Sequence, residues 1–174
     1  MRTQRSISSK LILMLALSVL AAPAAGQTAS KAALPITRAD ELDDQATALH
    51  DQLGRYAEAA RLHKESAALR SAVDPRAVES LATAAHLYNY ANRLFDARKT
   101  MEQAASRALA RGDVLRASLA NVDAALFAYK QGNLWQTARL GRKALKLAES
   151  PLLTDEQRAS IFNRLRVYPA IAAD

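Results

Sequence analysis

The stretch LGRYAEAA, residues 53–60, interrupts a helical pattern with a glycine and then resumes it. Glycine is favoured just past a helix end because it adopts the left-handed conformation without a side-chain clash. Gly132 occupies a similar gap later in the chain, and Asn92, which tolerates the same conformation, fills the gap between them. The three turn residues are 38 and 40 positions apart. A regular period in this range indicates stacked helix pairs.

Apolar periodicity and start signals place the helices around these turns. Leu42, Ala46, Leu49 and Leu53 follow one another at intervals of 4, 3 and 4, which is the apolar stripe of a helix. Asp74-Pro75 and Gly112-Asp113 are typical helix starts, and residues 154–157 (TDEQ) have the form of a capping box. These signals predict seven helices, over residues 39–53, 55–72, 75–91, 93–111, 113–131, 133–149 and 155–167. Because the connections are short, we expect antiparallel neighbours, with the unpaired last helix covering the end of the stack.

The composition agrees with an all-α fold. Half of the 174 residues are hydrophobic but only 5% are aromatic, and the apolar share is dominated by alanine and leucine, which favour helices. The chain contains no cysteine, so a disulfide, a thiolate nucleophile and a cysteine-based metal site are excluded. Helix packing must therefore supply the stability.

The first 26 residues are organised like an export signal. Arg2, Arg5 and Lys10 precede an apolar segment over residues 11–22, and small residues follow up to position 26. The apolar segment is shorter than the roughly 20 residues that span a bilayer, and an uncleaved interfacial anchor is the alternative interpretation. We therefore predict a signal peptide (1–26) cleaved before Ala25 or Gln27, and a periplasmic or secreted location. After it we predict a flexible tether (27–37), a repeat domain (38–167) and a tail (168–174), with no stable membrane span once the signal is removed.

At its turns the sequence resembles the tetratricopeptide repeat (TPR) family. Gly54, Tyr56 and Ala59 follow the spacing that opens the second helix of the family's repeat, and Gly132 and Leu134 begin the same helix later on. The resemblance covers about residues 40–149, although the period exceeds the family's usual value of about 34. It implies a TPR-like α-solenoid of about three repeats with a C-terminal capping helix.

The resemblance also implies that the first helix of each pair lines a concave groove that binds a protein or peptide partner. Some members clamp a partner's terminal carboxylate with cationic and amide side chains. The clamp is not expected here, because the matching positions do not carry such side chains. These positions are occupied by Asp44, Ala48, Thr83, Leu119 and Asp123. The groove residues implied for this chain are Asp44, Asp51, Ala82, His86, Asn89, Tyr90, Val122, Leu126 and Tyr129.

The charge distribution leaves a second function open. Residues 38–80 hold 9 acids and 6 bases, a net charge of −3, whereas residues 93–146 hold 4 acids and 11 bases, a net charge of +7. An anionic polymer, either a polysaccharide or a nucleic acid, could bind the second half. A stripe of bases spaced at i, i+3, i+4 and i+7 would then dominate the binding of the polymer. Its residues are Arg139, Arg142, Lys143 and Lys146. A solvated outer helix face explains the same spacing equally well.

We find no catalytic motif and expect no enzyme activity, metal or cofactor. The three histidines lack the HExxH spacing of a zinc protease, and no phosphate-binding glycine loop or nucleophile elbow occurs. His50 and His63 fall at packing positions. The acidic run over residues 40–44 is expected at an exposed helix start, where acids favour the positive helix end. Trp135 is expected to seal the stack against the last helix.

Overall fold

The computed structural model describes residues 33–166, with the side chains of residues 38–51 and 54–166. This part of the chain contains no strand and forms seven helices: α1 (Ala33–Leu53), α2 (Tyr56–Leu69), α3 (Pro75–Tyr90), α4 (Leu94–Ala110), α5 (Val114–Lys130), α6 (Leu134–Ala148) and α7 (Asp155–Leu165). Each helix from α2 to α6 packs on the next, and α7 rests on both α5 and α6. The predicted all-α stack of helix hairpins is confirmed. None of these helices is both long and apolar enough to cross a membrane.

The helices form two layers. Polar contacts join α1 to α3 and α3 to α5, so the odd-numbered helices lie side by side and form what we call the odd-helix face. Arg107 of α4 donates to the Ala67 carbonyl of α2, and Arg139 of α6 donates to Glu102 of α4, so the even-numbered helices form a second, even-helix face. The turns within the three hairpins share one edge of the stack, which we call the turn edge.

Local chemistry explains where the helices begin and end. The predicted turn residues all have positive φ, with values of 63° at Gly54, 57° at Asn92 and 73° at Gly132. Asp74 accepts a hydrogen bond from the Arg76 amide, with Pro75 in the first turn of α3. Thr154 and Gln157 form both hydrogen bonds of the predicted capping box at α7. These local predictions are confirmed.

Alanine dominates the core. More than half of the buried apolar residues are alanines, and a few large side chains, such as Met101, Phe127 and Leu140, lie among them. Small side chains let two helices approach closely, and the large residues of neighbouring helices fill the hollows that remain. The stack is therefore held by close backbone approach rather than by bulky layers.

The first helix is longer than predicted. It begins at Ala33, so residues 33–37 of the predicted tether are helical. Pro35 is compatible with this position because the amides of the first turn have no partner within the helix. The rest of the tether, the signal segment and the tail fall in residues 1–32 and 167–174, which lie outside the described residues.

The last helix covers the end of the stack, as predicted, but without Trp135. Ile161 and Leu165 of α7 join Ala144 and Ala148 of α6 in a second apolar cluster. Trp135 is 66% exposed, so its predicted sealing role is wrong. It stands at the start of α6, whereas α7 meets the second half of that helix.

Candidate functional site

A cleft opens on the odd-helix face between α3 and α5. Val78 and Ala82 line it from α3, Leu119 and Ala120 line it from α5, and Met101 of α4 contributes to its floor. Its volume is about 320 Å³. The cleft exists because alanines stand where larger residues would close the gap between the two helices. We call it the α3–α5 cleft.

Charged groups surround this apolar floor. Nη1 of Arg116 lies 2.8 Å from Oε1 of Glu79 across the cleft. Nε2 of His86 lies 3.8 Å from Oδ2 of Asp123, whose Oδ1 lies 3.6 Å from Nη1 of Arg164 on α7. Burial raises the pKa of the Asp123 carboxyl, although the charges of His86 and Arg164 oppose the rise. Asp123 is thus a partly sheltered acid on the wall of an apolar cleft.

Toward the turn edge the same face carries aromatic and amide groups. Nζ of Lys130 donates to Oδ1 of Asn89 at 2.9 Å, which ties the end of α5 to the end of α3. The rings of Tyr90 and Tyr56 lie 5.6 Å apart between centroids. Tyr129 is exposed nearby on α5. This end of the odd-helix face therefore exposes aromatic rings and hydrogen-bonding groups next to the cleft.

The structure brings together part of the predicted groove. Ala82, His86, Asn89, Tyr90 and Tyr129 lie on neighbouring α3 and α5, and each is exposed or half-buried. Leu126 is half-buried and packs against both apolar clusters, so little of it is available to a ligand.

Three predicted groove residues lie elsewhere. Val122 is only 1% exposed because α7 folds over it, so its assignment to the groove is wrong. Asp44 lines a separate cavity between α1 and α3. Asp51 pairs with His50 at 3.1 Å near the turn edge.

The cavity between α1 and α3, about 420 Å³ in volume, contains a network of charges. The side chain of Arg70 is 2% exposed and bonds to Asp40 and Asp43 of α1 and, at 2.8 Å, to the Ser80 hydroxyl of α3. Nδ1 of His63 lies 2.6 Å from the Asp43 carboxylate. Burial alone would raise the pKa of Asp43, but these groups and the Ser66 hydroxyl lower it to about 2. We call these residues the Arg70 network.

The network corrects the interpretation of the acidic run. Since α1 begins at Ala33, residues 40–44 lie within the helix rather than at its start, and Asp43 is sheltered. Both histidines were predicted at packing positions: His63 is buried there, whereas the side chain of His50 is 43% exposed beside Tyr56. Arg70 and Asp43 are 27 residues apart, so no local pattern indicated their contact.

The even-helix face is predominantly basic. A cavity of about 700 Å³ between α2 and α4 is lined by Lys64, Lys99 and Arg107, with Glu102 as its acid. In the predicted basic stripe, Arg142, Lys143 and Lys146 are exposed. Arg139, in contrast, is tied to Glu102 and lies against the Trp135 ring.

Neither face assembles an evident reaction centre. Within residues 33–166, no group of three or more histidine, aspartate or glutamate side chains could hold a metal ion. Two sheltered acids that line cavities, Asp43 and Asp123, lie in different cavities. The absence of enzyme activity remains a prediction. Comparisons with protein-family models, curated proteins and solved structures give no match to this chain.

Proposed function

We propose that this chain is a TPR-like scaffold that binds an extended segment of a protein partner across the α3–α5 cleft. The observation that carries the proposal is an apolar cleft with charged walls on the face that the TPR resemblance assigns to binding. Peptide sites combine an apolar floor with a few oriented polar groups, and this cleft has both. Stacked helix pairs also present an extended surface on which several side chains of one segment can bind.

The walls indicate the chemistry of the segment. Asp123 is partly desolvated and its pKa is raised, so a cation brought near it would stabilise its charged form. Ala82 and Leu119 leave room for an apolar side chain of modest size. The preferred ligand therefore carries a lysine or arginine next to an aliphatic residue.

A peptide-display selection tests this function. Peptides selected on the wild-type protein should be enriched in the basic–aliphatic pair. Their affinity should fall at least about tenfold in Ala82→Trp, which fills the cleft, because the excluded side chain stays in water. Ala110→Trp, at an exposed position of α4, is the matched control and should bind normally. Equal binding by all three proteins would refute the cleft as the site.

Binding of an anionic polymer is the second candidate. Four bases and no acid in α6, together with the three cations of the α2–α4 cavity, favour it. Affinity for dextran sulfate should then fall steeply with salt, because neutralised charges release counterions. Arg142→Ala/Lys146→Ala should weaken that binding while Tyr90→Ala leaves it unchanged. Undiminished binding of dextran sulfate by the charge variant would contradict an anion site on α6.

We also propose that the chain is exported, on the basis of the basic, apolar and small-residue order of residues 1–26. Mass spectrometry of the protein from its native host should find an N-terminus at Ala25 or Gln27. Intact Met1 in a soluble cytoplasmic fraction would contradict export.

A further inference from the structure

The turn edge of the second and third hairpins exposes large apolar side chains. Nine such residues are exposed among those described, and five of them lie at these two turns: Tyr90, Phe95, Tyr129, Leu134 and Trp135. Phe95 and Trp135 stand three positions after the turn residues Asn92 and Gly132, and they are 59% and 66% exposed. Large exposed apolar patches mark sites where a protein meets another surface.

Contacts between the hairpins hold these side chains at a common edge. Lys130 bonds to Asn89, so the ends that carry Tyr90 and Tyr129 are joined. Glu102, in the middle of α4, pairs with both Arg98 and Arg139, so α4 is joined to the first half of α6 as well. The exposed apolar residues of the two turns therefore lie along one edge of the stack.

Cations accompany the rings. The guanidinium of Arg98 lies 5.3 Å and the ammonium of Lys99 lies 5.5 Å from the Phe95 ring centroid. Arg139 lies 5.9 Å from the Trp135 ring. Residues 90–99 and 129–139 together contain one acid, Asp96, and five bases. Arg98 is buried and paired with Glu102, whereas Arg93, Lys99, Lys130 and Arg139 reach the surface. The surface is both apolar and positive.

The opposite edge shows that this combination is not general to the ends of these helices. Leu152 is 73% exposed there, between α6 and α7. Residues 149–158 around it contain three acids, Glu149, Asp155 and Glu156, and one base, Arg158, which pairs with Asp155, but no aromatic ring. Exposed aliphatic residues thus occur at both edges, but aromatic rings with cations mark the turn edge.

We propose that the turn edge of the second and third hairpins docks on the surface of a lipid bilayer that contains anionic lipids. Tyrosine and tryptophan favour the headgroup region because one end of the ring system is apolar and the other hydrogen-bonds to water. Lysine and arginine are attracted to the negative surface of such a bilayer. The five apolar side chains line none of the three cavities described above, although Lys99 lines the one between α2 and α4. These turns therefore present protruding side chains to a flat surface, whereas the dominant anchors of protein interfaces fill pockets.

Trp135 allows a direct test because it is the chain's single tryptophan. Full-length protein is mixed with vesicles of equimolar phosphatidylcholine and phosphatidylglycerol, and with vesicles of phosphatidylcholine alone. The anionic vesicles should bind the protein and shift the Trp135 emission to shorter wavelength, whereas the neutral vesicles should bind it much more weakly. An unshifted emission maximum with anionic vesicles would overturn the proposal.

Matched variants separate the turn edge from other apolar segments of the chain. Phe95→Ser/Leu134→Ser should weaken vesicle binding about tenfold or more, since two apolar side chains no longer leave water. Leu152→Ser removes an even more exposed apolar side chain at the opposite edge and should bind as wild type does. Circular dichroism verifies that both variants are folded. Undiminished vesicle binding by the double variant would refute membrane docking. Binding of an acidic protein at this edge without any binding of vesicles would also refute it.

Discussion

The first hairpin and the two that follow share one architecture but are held together by different interactions. The four helices from α3 through α6 pack on one another through alanines and a few large apolar residues, such as Met101 and Phe127. Apolar contacts of Ala46 and Leu49 also hold α1, but charged groups of the Arg70 network join it to α2 and α3. One helix-pair geometry can thus be built from close apolar packing in the middle of a stack and from partly buried ion pairs at its end.

The difference has energetic consequences. Apolar packing is insensitive to pH, whereas an ion pair depends on the ionisation of both partners. Removing one partner of a sheltered pair also leaves the other charge uncompensated, which is strongly destabilising. We therefore expect the first hairpin to respond to charge changes that leave the central hairpins intact.

The largest effect is expected in the apolar region. Phe127→Ala should lower the free energy of unfolding by about 3–5 kcal/mol, because the side chain is 1% exposed and its removal leaves a cavity. Chemical denaturation followed by circular dichroism measures the loss. Phe162→Ala, at a ring that is 48% exposed, should cost about 1 kcal/mol or less. Similar losses in the two variants would mean that the core does not depend on Phe127.

In the first hairpin, Arg70→Met should cost about 2–4 kcal/mol, because Asp40 and Asp43 lose their shared cation. Hydrogen exchange should show faster exchange in α1 while α4 and α5 keep their protection. Arg76→Met, at a side chain that is 46% exposed, should change stability by about 1 kcal/mol or less. Uniform loss of protection along the chain would contradict the contrast between the two regions.

Acid should distinguish the two regions by a smaller amount. The pKa of Asp43 is lowered from 3.8 to about 2, so its contribution is fully present above pH 3.8 and is lost as the pH falls through 2. The contribution is on the order of 2 kcal/mol for a shift of this size. Wild type should therefore lose more stability than Asp43→Asn between neutral pH and pH 2, as measured by urea unfolding. Parallel losses would show that Asp43 does not carry this dependence.

The smallest effect on stability is expected at a turn. There the cost of a substitution should depend on the local backbone conformation rather than on whether the turn belongs to the first hairpin or to a central one. Gly132→Val should cost about 1–2 kcal/mol from backbone strain alone, because φ is 73° and an added Cβ meets no atom within 4 Å. Gly132→Asn should cost less, since Asn92 adopts the same conformation at the neighbouring turn. The two melting temperatures provide the measurement. An unchanged value for the valine variant would mean that the turn can relax.

The sequence predicted the helices closely and the site only in part. Helices α2 to α7 begin and end within about three residues of the predicted bounds, because Gly54, Asp74 and Thr154 act through neighbouring backbone groups. The helical period also placed His86 and Tyr90 on one face. It did not indicate that α7 would bury Val122, or that Asp123 would meet Arg164. Those contacts depend on how a whole helix crosses another.

The sequence by itself determined the all-α class, the positions of the turns and the order of the hairpins. Each follows from interactions between residues a few positions apart, which the unfolded chain already contains. Only the tertiary structure decided that Arg70 would meet Asp43, that the α3–α5 cleft would open beside Ala82, and that Trp135 would remain exposed. These features depend on the distances and angles between packed helices. Many sequences with the same apolar period could pack their helices at other distances and angles.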